Sequence, residues 1–244
     1  MLENIRSKYI LEQVAENIKE NTLLKLIKYN KNLQSRLNKD FQTYKNYYNQ
    51  IVIEVTPGKR RDLKTFINIE KNAKQYFHFY FNEENKEAQE TNIDYNTSKI
   101  IIKIDKEIKS FKGLFRWCSN IEKIKFIKFK RKDITDMSYM FAYCTSLNEL
   151  ILNEFHTDNV TDMSHMFMNC GLLKEINLKN FKTDKVINMS NMFLGCSSLQ
   201  ILDVGNLVFN KELSMFCMFH KCSEELKNKL KSQRNDFFNE AFFD

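Results

Sequence analysis

Glycine and proline are scarce in this chain: five glycines and one proline stand among 244 residues. That excludes long flexible linkers and collagen-like structure. It also leaves no glycine-rich loop to cradle a phosphate. No window approaches the roughly 18 consecutive apolar residues of a membrane span. The opening stretch, MLENIRSKYILEQVAENIKEN, reads as a charged helix without the apolar segment of a secretory signal. The expectation is a soluble, cytoplasmic protein, with surface exposure or secretion by a non-Sec route left open. Histidine is limited to His78, His156, His165 and His220, none with a carboxylate or cysteine partner at catalytic spacing. There is no nucleophile elbow and no paired acidic motif. These absences predict a protein that is not an enzyme and carries no cofactor, metal or small-molecule substrate. The net charge of +7 is modest and demands no anionic partner.

What the chain has is a 26-residue period between Ser110 and Cys222. Cys118, Cys144, Cys170, Cys196 and Cys222 form one column, and Phe115, Phe141, Phe167, Phe193 and Phe219 another. Leu114, Met140, Met166, Met192 and Met218 keep the same step, as do Ser110, Asp136, Asp162, Asn188 and Ser214. A fixed period of 20 to 50 residues is the signature of stacked repeats. Within a unit, Met137, Met140, Phe141 and Cys144 lie at i, i+3, i+4 and i+7, the spacing of one helix face. Asp136 just before them is placed as a helix N-cap. Leu150 and Leu152 then alternate with Glu149, Ile151 and Asn153, the pattern of a half-buried strand. The predicted architecture is an α/β leucine-rich-repeat solenoid, a horseshoe of about five units. It would have a parallel inner sheet, helices outside and a helical cap at each end.

The strings TDMSYMFAYCTSLNELIL, TDMSHMFMNCGLLKEINL and INMSNMFLGCSSLQILDV resemble the BspA-type leucine-rich repeats of bacteria and protists. The resemblance covers about half of the chain. It implies an interaction protein with no catalytic residues to carry over.

Four regions are expected: 1–48 helical, 49–107 β-rich and continuous with the repeats, 108–222 the repeats, and 223–244 a C-terminal cap. In the first, Tyr9, Ile10, Val14 and Ile18 make one apolar stripe, and Leu23, Leu24, Leu26, Ile27 and Leu33 a second. Thr22 is placed as the cap between them, and a third piece runs from Leu37 through Phe41, Tyr44 and Tyr47. This layout weakly resembles an F-box, although Lys8-Tyr9 stands where its usual Leu-Pro would be. A ubiquitin-ligase hook and a plain cap both remain open. Strands are expected at 51–55, 66–69, 76–81 and 98–104.

Five of the six cysteines are one repeated position, so buried reduced thiols are expected rather than a disulfide framework. The basic run Lys123, Lys125, Lys128, Lys130, Arg131 and Lys132 reads as a solvated face. Nucleic acid is not the expected partner, because exposed aromatics interleaved with the charges are not evident. The outward positions of the predicted strands are Lys123 and Lys125, Glu149, Ile151 and Asn153, Glu175, Asn177 and Lys179, then Ile201 and Asp203. They differ from unit to unit while the core columns do not. This concave face is the candidate binding surface for a protein partner.

Overall fold

The computed structural model describes residues 20–37, 46, 49–59, 66–82, 86–88, 96–152, 155–209, 212–234, 236–237 and 239–243. The chain forms two compact units, Met1–Gln50 and Ile51–Asp244. In the first unit, helix α1 spans Glu20–Tyr29 and α2 spans Lys31–Leu37. Thr22 lies inside α1, and the junction between helices falls at Asn30. Its Oδ1 accepts the Leu33 backbone N–H (2.9 Å), capping α2. Gln34 Nε2 donates to the Ile27 carbonyl (2.7 Å), which also accepts the Asn30 backbone N–H (3.3 Å) where α1 ends. Ile27, Leu33 and Leu37 are buried. The stripe at Tyr9, Ile10, Val14 and Ile18, and the residues Phe41, Tyr44 and Tyr47, fall outside the described residues.

The second unit is built on a five-stranded sheet in the order β2-β3-β1-β4-β5. Its strands are β1 (Ile51–Pro57), β2 (Phe77–Phe81), β3 (Ile100–Ile104), β4 (Ile121–Lys128) and β5 (Glu149–Ile151). The β1–β3, β2–β3 and β1–β4 pairs are antiparallel, and only β4–β5 is parallel. A second sheet holds β6 (Glu175–Ile176) and β7 (Ile201–Leu202), again parallel. Alternation decides the faces: Ile51, Ile53 and Val55, and Ile100, Ile102 and Ile104, are fully buried while their neighbours are not.

The expected horseshoe, with outer helices, a continuous parallel inner sheet and helical end caps, is overturned. The larger sheet is mostly antiparallel, and among the described residues no helix falls inside a repeat. The reason lies in the backbone. Tyr139, His165, Asn191 and Cys217 hold left-handed φ of 51–58°, and Gly113 holds 61° at the equivalent place. Four residues later, Trp117, Tyr143, Asn169 and Lys221 do the same (57–63°), with Gly195 at 73°. Two left-handed residues per unit stop an α-helix from propagating.

Backbone amides instead alternate between two partners. Met137, Tyr139, Phe141 and Tyr143 donate to the carbonyls of Asp162, Ser164, Met166 and Met168 in the next repeat (2.7–3.0 Å). Met140, Ala142 and Cys144 donate three residues back, to Met137, Tyr139 and Phe141. Asp136 is not a helix cap: its Oδ1 accepts from the Ser138 backbone N–H (2.8 Å) and hydroxyl (2.7 Å), closing a turn. Asp162 and Asn188 repeat the backbone contact with Ser164 and Ser190.

The residues read as columns are buried and lie rung upon rung. Phe115, Phe141, Phe167, Phe193 and Phe219 stack with ring centroids 5.4–5.7 Å apart and planes within 13° of parallel. Each fully buried phenylalanine contributes about 1.5–3 kcal/mol. The cysteines are free. Cys144, Cys170, Cys196 and Cys222 each donate Sγ–H to a phenylalanine carbonyl one rung back (3.0–3.2 Å).

Non-repeating segments close both ends of this ladder. At the start, the Asn68 backbone N–H meets the Leu114 carbonyl (2.7 Å) and its side chain donates to Gly113 and Arg116. Residues 66–69, expected as a strand, therefore act as a first rung in irregular conformation. At the finish, Cys217 and Phe219 donate to Glu240 and Ala241 (both 2.8 Å), and Phe242 stacks on Phe219 at 5.3 Å. Helix α3 (Glu224–Gln233), capped by Ser223, precedes this 3-10 tail, Asn239–Phe242. The tail, not the helix, supplies the last rung.

Candidate interaction surface

The outward positions of β4 to β7 form the candidate surface. Parallel register sets Lys123 opposite Glu149 and Lys125 opposite Ile151, with Ile124 and Leu150 buried beneath. Lys123 Nζ lies 2.7 Å from Glu149 Oε1, a cross-strand ion pair. Further along, Glu175 stands opposite Ile201, above buried Ile176 and Leu202. Glu149, Glu175 and Ile201 are exposed. β5 and β6 belong to different sheets, and a shallow trough opens at that seam. Its lining includes Glu149 and Ile151 on one bank and Lys174, Glu175 and Asn177 on the other.

Not every expected residue is free to bind. Asn177 Oδ1 accepts the Lys179 N–H (3.0 Å), and Asp203 Oδ1 the Gly205 N–H (2.9 Å), so both shape local turns. Lys125 and Lys179 are exposed, and Asn153 lies outside the described residues. Sequence reasoning missed Glu54 and Thr56, which β1 sets beside Lys125 and Lys123. The alternation of IVIEV marks Glu54 as outward-facing and Thr56 continues it, but nothing in the pattern names β4 as their neighbour.

The basic run does not form one free patch. Arg131 is buried, donating from Nε to Asp133 Oδ1 (2.8 Å) and from its terminal nitrogens to the Asp105 and Ile108 carbonyls. Burial alone would raise the Asp133 carboxyl, but its bonds to Arg131 and Lys109 hold it below the usual carboxylate range. Lys132 and Lys182 both approach Asp158 Oδ1 (3.3 and 2.8 Å), lowering that carboxyl against its own desolvation.

The turn edge carries aromatic groups that sequence reasoning did not find. Trp117, 59% exposed, stacks on Tyr143 with centroids 3.8 Å apart, and Tyr139 contacts both the Arg116 guanidinium (4.7 Å) and the His165 ring (4.3 Å). The 26-residue steps from Trp117 to Tyr143 and from Tyr139 to His165 are the signal that was available. His78 also has partners the spacing did not disclose: Glu87 and Asp105, at 2.9 and 3.0 Å. Among the described residues, no group of three histidine, cysteine or acidic side chains is arranged to hold a metal ion. Cys222, two residues beyond His220, is engaged by the Phe193 carbonyl. Burial pushes Cys118 and Cys222 up to about 12 and the three thiols between them well above the ordinary range. Among the described residues no helix is long and apolar enough to cross a membrane.

Comparison with known proteins finds no match among curated proteins and none among solved structures. One family model does match, over residues 109–232, which spans the repeats and most of α3 and makes up about half of the chain. The chain belongs to that family, described as Mycoplasma protein of unknown function, DUF285.

Proposed function

We propose that this protein is a non-enzymatic repeat protein that binds a protein partner across the outward strip of β4 to β7. One observation carries the reading: side chains on the buried face keep their type from rung to rung, while Lys125, Ile151, Glu175 and Ile201 on the outer face do not. A stack pinned by inter-repeat hydrogen bonds presents that strip already ordered, so binding loses little conformational entropy. The resemblance of the DMS-x-MF strings to BspA-type repeats supports the same reading. Six reduced thiols fit a protein kept in a reducing compartment, inside the cell.

The test is affinity capture from native cells with the full chain and a Lys125→Glu, Glu175→Lys, Ile201→Asp variant of unchanged circular dichroism. Loss of a specific captured protein in the variant is the expected result. An identical captured set in both rejects the strip.

A second reading, a ubiquitin-ligase adaptor whose hook is the first unit, is favoured by one feature. Leu26 and Tyr29 on α1 are exposed, 44% and 78%, around a groove also lined by Thr22, Lys25 and Asn30. Deleting residues 1–50 would then abolish capture of a ligase component and spare the strip's partner.

A further inference from the structure

We propose that His78 is a pH-responsive latch that fastens residues Glu87–Ala88 onto the outer edge of β2. Both ring nitrogens are engaged by carboxylates: Nδ1 by Glu87 Oε1 at 2.9 Å and Nε2 by Asp105 Oδ2 at 3.0 Å. A carboxylate only accepts, so each nitrogen must carry a proton, and the ring that fits this site is the imidazolium. A neutral ring donates to one partner and turns a lone pair toward the other. Asp105 follows β3 and sits within the framework, where Arg131 holds its backbone carbonyl. Glu87 comes from the segment beyond β2, so it is the partner that can leave.

The same segment makes a backbone contact on that strand. The Ala88 N–H donates to the Phe79 carbonyl at 2.8 Å. Residues 76 and 82 bond inward to the β3 side, through Asp105 and Lys99, so Phe79 points to the opposite, outer edge. The contact therefore masks part of an edge strand whose exposed backbone groups would otherwise invite pairing.

The charges that face His78 come from three directions. Tyr80 shares its strand. Lys103 stands opposite on β3, with its ammonium 4.2 Å from the Tyr80 ring centroid. Glu87 and Asp105 close the two sides. Burial lowers His78, yet the bonds to Asp105 and Glu87 outweigh it and leave the group above its ordinary value. Because the folded value is raised, the latch is complete below the ordinary histidine range and is lost as pH rises through the folded value.

The experiment is hydrogen–deuterium exchange of the full chain at the Ala88 amide, corrected for intrinsic rate, from about pH 5.5 to about pH 8.5, a span that brackets the ordinary histidine value. The wild type is expected to lose about tenfold in protection across that span, the effect of one charge-assisted bond. His78→Gln, which cannot titrate, is expected to show low and pH-independent protection. Glu87→Gln, which keeps the ring and removes one charge, is expected to move the midpoint to lower pH. Wild-type protection that does not change with pH, or an unchanged pH response in His78→Gln, overturns the latch. Should His78→Gln fail to fold, the Glu87→Gln midpoint decides: no shift overturns it.

Discussion

Thr183 illustrates how much one side chain carries inside this stack. It is fully buried, and its hydroxyl donates to the Val208 carbonyl (2.9 Å) while accepting the Val208 N–H (2.7 Å). Thr157 makes the same pair of contacts with Lys182. Thr183→Val keeps the shape and strands two backbone groups, so the loss of stability should be about 2–4 kcal/mol by urea denaturation; a loss below about 0.5 kcal/mol would show the hydroxyl to be dispensable. Two glycines offer a contrast. At Gly195, φ is +73° and an added Cβ would fall 2.0 Å from Asn169 Oδ1, whereas at Gly171 the nearest atom is 3.5 Å away and φ is not left-handed. Gly195→Ala should destabilise by about 1–3 kcal/mol, while Gly171→Ala should stay within about 0.5 kcal/mol. Equal midpoints for the two variants would contradict this. Thiol chemistry separates the cysteines: Cys217 alone is partly exposed. Mass spectrometry after brief alkylation of native protein at mildly alkaline pH should find Cys217 modified and the five ladder thiols intact, all six reacting in denaturant.

Among elements, the short tail beyond α3 matters more than its length suggests. Asn239–Phe242 receives the Cys217 and Phe219 amides, Glu240 Oε1 takes the Met215 N–H (3.0 Å), and Phe242 extends the phenylalanine stack. Truncation after Gln233 uncovers those donors and the Phe219 ring face. The shortened chain should associate into larger species on size-exclusion chromatography, as open edges do; a monomer of unchanged melting temperature would assign the tail no role. The sequence marks 223–244 as a cap but does not disclose that Asn239–Phe242, rather than α3, supplies the last rung, because that segment does not keep the 26-residue step. The repeat unit was hidden for another reason. Buried Met137, Met140, Phe141 and Cys144 have helical spacing, but the chain reaches that burial through turns with left-handed Tyr139 and Tyr143. A side-chain pattern reports which positions are inside, and more than one backbone path satisfies it.

At the scale of the whole second unit, charge sets an acid limit on stability. Asp133, Asp158 and Asp236 all titrate below their ordinary value; Asp236 is held there chiefly by Arg234, and the other two by cations that outweigh their burial. Depressed carboxyls stabilise the fold above the ordinary aspartate value near about pH 3.9 and lose that contribution as pH falls through the folded values. Urea midpoints should therefore hold near pH 5 and fall steeply below about pH 4, in the range where aspartates titrate; a flat profile would remove these pairs from the account. His78 acts with the opposite sign, at higher pH.

The amino-acid order alone determined the period, the identity of every core column and the outward places of Lys125, Glu149, Glu175 and Ile201, because burial repeats with the period whatever path the backbone takes. Tertiary structure decided the rest. Left-handed turns are tolerated at Tyr139, Tyr143, His165 and Asn169 because hydrogen bonds from neighbouring rungs hold them, and no local residue preference announces that. The antiparallel docking of β1 on β4, the burial of Arg131 against the Asp105 and Ile108 carbonyls and the meeting of His78 with Asp105 join residues more than twenty apart in the chain, so only the packed molecule brings them together.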